Sequence, residues 1–333
     1  MRVVDVFCGC GGLSLGLQNA EFDIVAGLDN WEKAVEIYNS NFDHECFIQD
    51  ISDRKKTIEL ITSFNPEMIV GGPPCQDFSS AGKRDINLGR ADLTYDYAYL
   101  INTIKPKWFI MENVDRIIKS HILCDIIELF KKSCYGLTSV ILDASLCNTP
   151  QARKRFFLIG ELGGAHNVLI PYLQRKLSNK QMTIRDYLGD ELGLEYYYRH
   201  PRNYSRRAIF SIDEPSPTIR GVNRPMPKTY INNHYDMKNI DLSLVRPLTT
   251  LERSYIQTFP KDFIFKGTKT NLEQIIGNAV PVNLAKFVGD AIQDYINDKH
   301  NKELLFINND KFKLCNSVLK KNNEYNDQLN LWS

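Results

Sequence analysis

Apolar positions in the first 160 residues follow two alternating patterns. Short, nearly continuous apolar runs at Arg2 to Phe7, Phe22 to Leu28, Met68 to Gly71, Trp108 to Met111, Leu137 to Leu142 and Phe156 to Ile159 predict strands. Between them, Leu13 to Ala20, Trp31 to Asn39, Lys55 to Phe64, Leu93 to Thr103 and Ile122 to Lys132 are apolar at three- and four-residue intervals, which predicts helices. Strands that alternate with helices build a mostly parallel sheet covered on both faces, so the expected fold is α/β and doubly wound over residues 1–165. The rhythm then stops. Residues 166–245 are rich in Tyr, Arg, Asn and Pro, keep neither period, and predict a second, smaller, irregular domain. Residues 246–300 return to the first domain, with a helix at Leu284 to Tyr295, and residues 301–333 form a polar C-terminal tail.

Composition narrows the class. The chain has 333 residues, 43% of them hydrophobic and 24% charged, enough to bury a substantial core. No run approaches the ~20 apolar residues of a membrane-spanning helix, and the opening reads as a strand rather than a signal peptide. A cytoplasmic protein without membrane contact is expected. Eight cysteines are too sparse for a disulfide scaffold, and Cys8-Gly9-Cys10 lacks the Cys-x-x-Cys spacing of a zinc site, so reduced thiols and no metal are expected. Cys46, Cys124, Cys134 and Cys147 read as small buried apolar residues. A net charge of +1 says little about partners, because a basic face can be cancelled elsewhere.

Five features carry candidate chemistry. Asp5-Val6-Phe7-Cys8-Gly9-Cys10-Gly11-Gly12-Leu13-Ser14 is a Gly-rich turn opening a helix, and Ser14 departs from the dinucleotide spacing. Asp29 closes the second strand, where an acid accepts from both ribose hydroxyls. In Gly71-Gly72-Pro73-Pro74-Cys75-Gln76-Asp77-Phe78-Ser79 two prolines stiffen the loop before a cysteine, whose thiol must be activated to act as a nucleophile. Glu112 follows an apolar strand, where apolar walls raise a carboxyl pKa. Arg153 and Arg155, two residues apart on one face of an extended segment, suit one shared inward target. Each feature alone has an ordinary reading as a tight turn, a loop acid or a solvated face. Together, Gly9, Asp29, Cys75 and Glu112 all fall past strand carboxyl ends, the edge at which open α/β sheets bind ligands.

In this order the segments resemble the motifs of the DNA (cytosine-5) methyltransferases of the bacterial modification type, from Arg2 to about Ala291. The resemblance implies the S-adenosylmethionine-dependent methyltransferase fold. It implies that Phe7, Gly9, Cys10, Gly12 and Pro74 line the cofactor S-adenosyl-L-methionine, that Asp29 holds its ribose, and that Asn30, Asp50 and Ile51 meet its adenine. Asn278 and Val280, in Gly277-Asn278-Ala279-Val280-Pro281, return to its methionine portion. Cys75 becomes the nucleophile that adds to a flipped-out cytosine, Glu112 the acid at ring nitrogen 3, Arg155 the group on the base carbonyl, and Arg153 a support for the Cys75 loop and the base. Gln76 and Ser79 are candidates to contact the DNA backbone or fill the vacated space. The segment from Arg246 to Pro260 resembles the support of a target-recognition region. There Arg220, Asn223 and Arg224 either read base edges or belong to a structural loop. Cys8 and Cys10 stand where a small or apolar residue is usual, and Asp29 where Glu is.

The implied activity is methyl transfer to cytosine C5 in a specific double-stranded DNA sequence by a monomer, in a restriction-modification system with a cognate endonuclease that forms no stable complex. The alternatives are a tRNA cytosine-5 methyltransferase on the same fold, a non-catalytic DNA-binding relative, and a nicotinamide dehydrogenase, the last opposed by Ser14.

Overall fold

The computed structural model describes residues 1–74, 93–203, 206–232, 234–236 and 240–301. Cys75, Gln76 and Ser79 lie outside the described residues, as does the tail from 302 onward. The chain runs β1 (Arg2–Val6), α1 (Gly12–Gln18), β2 (Asp23–Asp29), α2 (Glu32–Asn39), β3 (Cys46–Ile48), α3 (Arg54–Ser63), β4 (Met68–Gly71), α4 (Leu93–Ile104), β5 (Trp108–Val114), α5 (His121–Lys132), β6 (Tyr135–Asp143), β7 (Gln151–Ala152) and β8 (Lys154–Leu162). After these come α6 (Ile170–Lys176), α7 (Ile184–Leu188), β9 (Tyr196–Tyr198), β10 (Ile209–Ser211), β11 (Ser216–Pro217), β12 (Arg246–Pro247), α8 (Thr250–Ile256), α9 (Lys269–Asn278) and α10 (Val282–Asn301).

Seven strands form one sheet in the order β3-β2-β1-β4-β5-β8-β6. It is parallel except for β8, which runs antiparallel to both β5 and β6. Successive strand residues point to opposite faces and so build two cores. On one face Val3, Val70, Ile110 and Phe157 pack with Leu17 of α1 and Leu284, Val288 and Ile292 of α10. On the other, Val4, Ile69, Phe109 and Leu158 pack with Ile61 of α3, Leu100 of α4 and Phe130 of α5. The doubly wound reading therefore stands. The irregular region contributes a three-stranded sheet, β10-β9-β12, and β11 pairs with β7 of the sheet-bearing region.

Three expectations change. Strand β5 does not stop at Met111, because Glu112 to Val114 keep pairing with β8 after the parallel partner β4 has ended at Gly71. Cys134 is exposed and Cys124 half-buried, whereas Cys46 and Cys147 are buried as expected. Cys134 sits just past α5 with a φ of 65°, turned outward at the helix end rather than into the core. Finally, the segment around Arg153 is bent, with the Arg153 N–H bonded to the Gln151 carbonyl at 2.9 Å, so the two arginines do not share one extended face.

The α1–α10 contact lies beside the Gly-rich loop, and its tightness is testable. In an open helix Gly→Ala stabilises by up to about 1 kcal/mol. At Gly16 a Cβ would lie 2.4 Å from both the Ala285 Cβ and the Val282 carbonyl oxygen. Gly16→Ala is therefore expected to reverse the sign and cost about 1–3 kcal/mol by overpacking. Urea unfolding checks this; a midpoint equal to or above that of the parent chain would mean the two helices do not press together here.

Candidate active site

β1 lies between β2 and β4, so the chain leaves it in opposite directions and a crevice opens at the carboxyl ends of these strands. The loop after β1 turns sharply, with left-handed φ values at Phe7 (59°), Gly9 (56°) and Gly11 (90°). This turn aims the Gly9 N–H at Oδ2 of Asp29, 2.8 Å away, while the Trp31 N–H donates to Oδ1 at 2.8 Å. Each oxygen keeps a lone pair for a further donor, as a ribose diol needs. Burial raises the Asp29 pKa, and the N–H groups of Trp31, Gly9 and Asn30 oppose that shift.

A cavity of about 480 Å³ fills the crevice. One half is bounded by Asp5, Phe7, Gly9, Asp29, Asn30 and Trp31, with Asp50 and Ile51 beside them. Asn278 and Val280, where α9 ends, close it from above. Asp5 is fully buried; Ser14 Oγ donates to its Oδ2 at 2.6 Å, and Oδ1 has no hydrogen-bond partner among the described residues. Burial first, then the Asp29 charge, pushes its carboxyl up to about 7 against the Ser14 bonds. Asp29, Asp50 and the unpaired buried oxygen of Asp5 make this half suited to a polar ligand that donates hydrogen bonds.

The other half is bounded by Gly72, Pro73 and Pro74 and by Glu112, Arg153 and Arg155. Glu112 stands on the extension of β5 and accepts from Arg155 Nε at 2.8 Å. Burial raises its pKa while Arg155 and Arg153 hold it down. Gly72 leaves room for this carboxyl: a Cβ there would sit 3.0 Å from Glu112 Oε2. The next residue, Asn113, donates from Nδ2 to the Pro73 carbonyl at 3.0 Å and so fastens the proline loop to β5. Pro74, the residue immediately before Cys75 in the sequence, is exposed on the cavity wall.

Arg153 is buried and does different work. Its guanidinium donates to the carbonyls of Ile219 (3.1 Å), Gly277 (3.1 Å) and Ala279 (3.1 Å), which ties the arginine segment to the end of α9 and to the irregular region. Its predicted role in holding the Cys75 loop falls on residues outside those described. Gln151 and Gln257 run alongside: Gln151 accepts from the Ile219 N–H at 2.9 Å and donates to Gln257 at 2.8 Å, and Gln257 donates to the Ile276 carbonyl at 2.6 Å.

Residues 1–294 match the family model for C-5 cytosine-specific DNA methylases. The chain belongs to that family. It is 65% identical over 295 residues to the Type II methyltransferase M.HindV of Haemophilus influenzae, covering 89% of this chain and 97% of that protein. It is 53% identical over 304 residues to the Type II methyltransferase M.HgiDI of Herpetosiphon aurantiacus, covering 91% and 98%. At the level of fold alone, it matches a crystal structure of the S. pombe Dnmt2 methyltransferase with a TM-score of 0.66 at 20% identity, covering 90% of this chain and 99% of that one. A putative prophage-encoded DNA modification methyltransferase of E. coli gives a TM-score of 0.65 at 18% identity, covering 89% and 99%.

For this cytosine methylase the cavity gathers Phe7, Gly9, Asp29, Asn30, Asp50, Ile51, Pro74, Glu112, Arg153, Arg155, Asn278 and Val280. Cys10 and Gly12 are not on its wall. The Cys10 side chain packs with Ala34 and Ile37, and burial pushes its thiol up to about 12. Gly12 instead lets α1 abut the late loop, since a Cβ would lie 2.2 Å from the Val280 carbonyl oxygen. Of the DNA-reading candidates, Asn223 is turned inward, its Nδ2 donating to the Leu248 carbonyl (2.8 Å) and Glu273 (2.9 Å). Arg220 is half-buried and donates to the His200 carbonyl at 2.6 Å, whereas Arg224 is exposed. Trp31 and Asn113 were missed from the sequence; each directly follows a residue that was read, and adjacency was the available signal, whereas Asp5 was read only as the start of the Gly-rich turn.

The Asp5 carboxyl gives the methylase a pH signature. A folded pKa of about 7 against the ordinary value of 3.8 means that between these two values the native state holds a proton that the unfolded chain has lost. Stability from this group is present below pH ~4 and falls as pH rises toward 7, by on the order of 4 kcal/mol. Asp5→Asn is expected to flatten that fall between pH 4.5 and 7 in denaturant titrations. Parallel slopes for the variant and the parent would contradict the assignment.

Proposed function

We propose that this methylase transfers a methyl group from S-adenosyl-L-methionine to C5 of a cytosine rotated out of a specific duplex DNA sequence, through a transient bond to Cys75. The observation that carries the reading is the buried Glu112 carboxyl paired with the half-buried Arg155 at 2.8 Å, on the cavity wall shared with Pro74 and continuous with the acid-lined half. S-adenosyl-L-methionine, when bound, supplies an electrophilic methyl group. Asp29 suits its ribose, Asn30, Asp50 and Ile51 its adenine, and Asn278 and Val280 its methionine end.

Cytosine C5 is a poor nucleophile until the ring is activated. Addition of the Cys75 sulfur at C6 converts C5 into an enamine carbon. Charge that develops on the ring is met at N3 by the proton of Glu112, which burial helps to retain. Arg155 orients that carboxyl and polarises the base carbonyl. C5 then takes the methyl group, water removes the C5 proton as the sulfur leaves C6, and N3 returns its proton to Glu112, which restores the aromatic ring. The target carbon is out of reach inside a duplex, so the base must leave the stack. Gln76 and Ser79 remain the candidates for backbone contact or for filling the gap. The Type II names of the relatives support membership of a restriction-modification system. They also favour DNA over tRNA as substrate, and no helix among the described residues is long and apolar enough to cross a membrane.

Incorporation of labelled methyl into unmethylated duplex DNA and into tRNA separates the two substrates. Label is expected in the duplex, and label confined to tRNA would overturn the choice. Cys75→Ser is expected to abolish turnover while binding of S-adenosylhomocysteine persists. Glu112→Gln is expected to lower kcat by roughly 100-fold or more, with the same binding intact; turnover in either variant at the parent rate would contradict the mechanism.

A further inference from the structure

Within the irregular region, residues 216–224 form one stretch that several polar groups of the methylase core hold from below. Ser216 and Pro217 pair with Gln151 and Ala152 as β11 and β7. The Ile219 N–H and carbonyl are held by Gln151 and Arg153. Gly277 has no room for a side chain, because a Cβ would lie 2.3 Å from the Gly221 nitrogen. One group on this underside is unexpected. Arg253 of α8 and Glu273 of α9 are only 4% and 3% exposed and form a buried ion pair. Arg253 also donates to the Arg220 carbonyl. Glu273 Oε1 accepts from Asn223 Nδ2 at 2.9 Å and from Thr250 Oγ1 at 2.8 Å. Each of the two buried charges therefore also holds one group of this stretch, Arg253 the Arg220 carbonyl and Glu273 the Asn223 amide.

The outward side of the same stretch has the opposite character. Val222 is 51% exposed and Arg224 is exposed, while Arg220 lies beside Arg199 and Arg202. Burial first, then the charges of Arg220 and Arg202, pulls the Arg199 guanidinium down to about 10. Burial and the neighbouring Arg224 and Arg220 likewise lower the His200 pKa. Burial is the first cause of both shifts, and the clustered charges of Arg202, Arg220 and Arg224 add to it. A buried ion pair is a weak source of net stability, since desolvation offsets most of the attraction, yet removing one partner leaves an uncompensated charge. Its fixed geometry suits it to hold a binding surface in register.

We infer that Arg253 and Glu273 are positioning residues for DNA discrimination: their ion pair, through the Arg220 carbonyl and the Asn223 amide, holds Arg220, Val222 and Arg224 in register against the duplex. This rests on the duplex-DNA reading above. Neither side chain touches DNA or cofactor in this account. Both act through residues 220–223.

The test uses the full-length enzyme on unmethylated plasmid DNA, with initial rates over a range of DNA concentrations and bisulfite sequencing of the products. Arg253→Met and Glu273→Gln are each expected to raise KM for DNA tenfold or more with kcat within about twofold. The fraction of methylated cytosines outside the wild-type sequence context should rise, and the dissociation constant for S-adenosylhomocysteine should not change. The double variant, which leaves no lone buried charge, should recover part of the loss. Arg253→Lys keeps the charge on Glu273 but gives up the planar fork, and guards against simple unfolding. It is expected to keep the parent melting temperature while raising KM severalfold. Parent KM and context fidelity in Arg253→Lys and in any single variant that folds, or losses that only track melting temperature, would overturn the inference. A wild-type enzyme that methylates no duplex would instead overturn the reading beneath it.

Discussion

A carboxyl group kept out of water beside a guanidinium is the constraint around which this methylase is arranged. Glu112 cannot be buried alone, and Arg155 reaches it from the neighbouring antiparallel strand at 2.8 Å. That pairing is possible because β5 outruns β4 by three residues and continues along β8 only. The exposed flank left by the shorter β4 becomes cavity wall, and Gly72 at its end has no side chain to cover the acid. The single antiparallel strand in the sheet therefore creates both the opening and the partner that makes a buried acid tolerable. Burial pushes the carboxyl toward its protonated form, and the two arginines limit how far.

Arginine placement organises the rest. Arg155 and Arg153 are two residues apart, but the bend at Ala152 sends one to the acid and the other to three backbone carbonyls. Through Arg153, with Gln151 and Gln257, the loop that closes the cofactor half is linked to the stretch that leads into the recognition region. The proposed cofactor, base and DNA sides thus share one buried hydrogen-bonded seam. A hydrogen bond lost in such a seam leaves a buried group unsatisfied, so each member is expensive to replace.

Much of this was legible from the chain. Runs such as Met68 to Gly71 and the helical spacing of Ile122 to Lys132 are strong signals because sheet and helix each have a fixed period. β3 escaped notice at three residues with Ile48 outward, and α9 because its apolar positions are diluted by polar ones. The capping box of Thr249 and Glu252, which starts α8, was readable as Thr-x-x-Glu. At the site, motif order brought most cavity residues together, since the ends of parallel strands meet at one edge. What sequence did not carry was direction. Nothing in the spelling of Asn223 says that its amide turns inward to Glu273, or that Cys10 faces α2 and not the cavity. Such choices are made by long-range partners, 50 residues away in the case of Asn223.

The central claim is that an acid held by Arg155 drives a sulfur to add to an extruded cytosine. Incubating the methylase with S-adenosyl-L-methionine and duplex carrying 5-fluorocytosine in its methylated context tests this directly, because fluorine blocks the final loss from C5. The expected product is a denaturant-resistant complex whose cross-linked peptide contains Cys75, formed far more slowly when Glu112 is replaced by Gln. No complex with the intact enzyme, or one that forms equally fast without the Glu112 acid, would contradict the account.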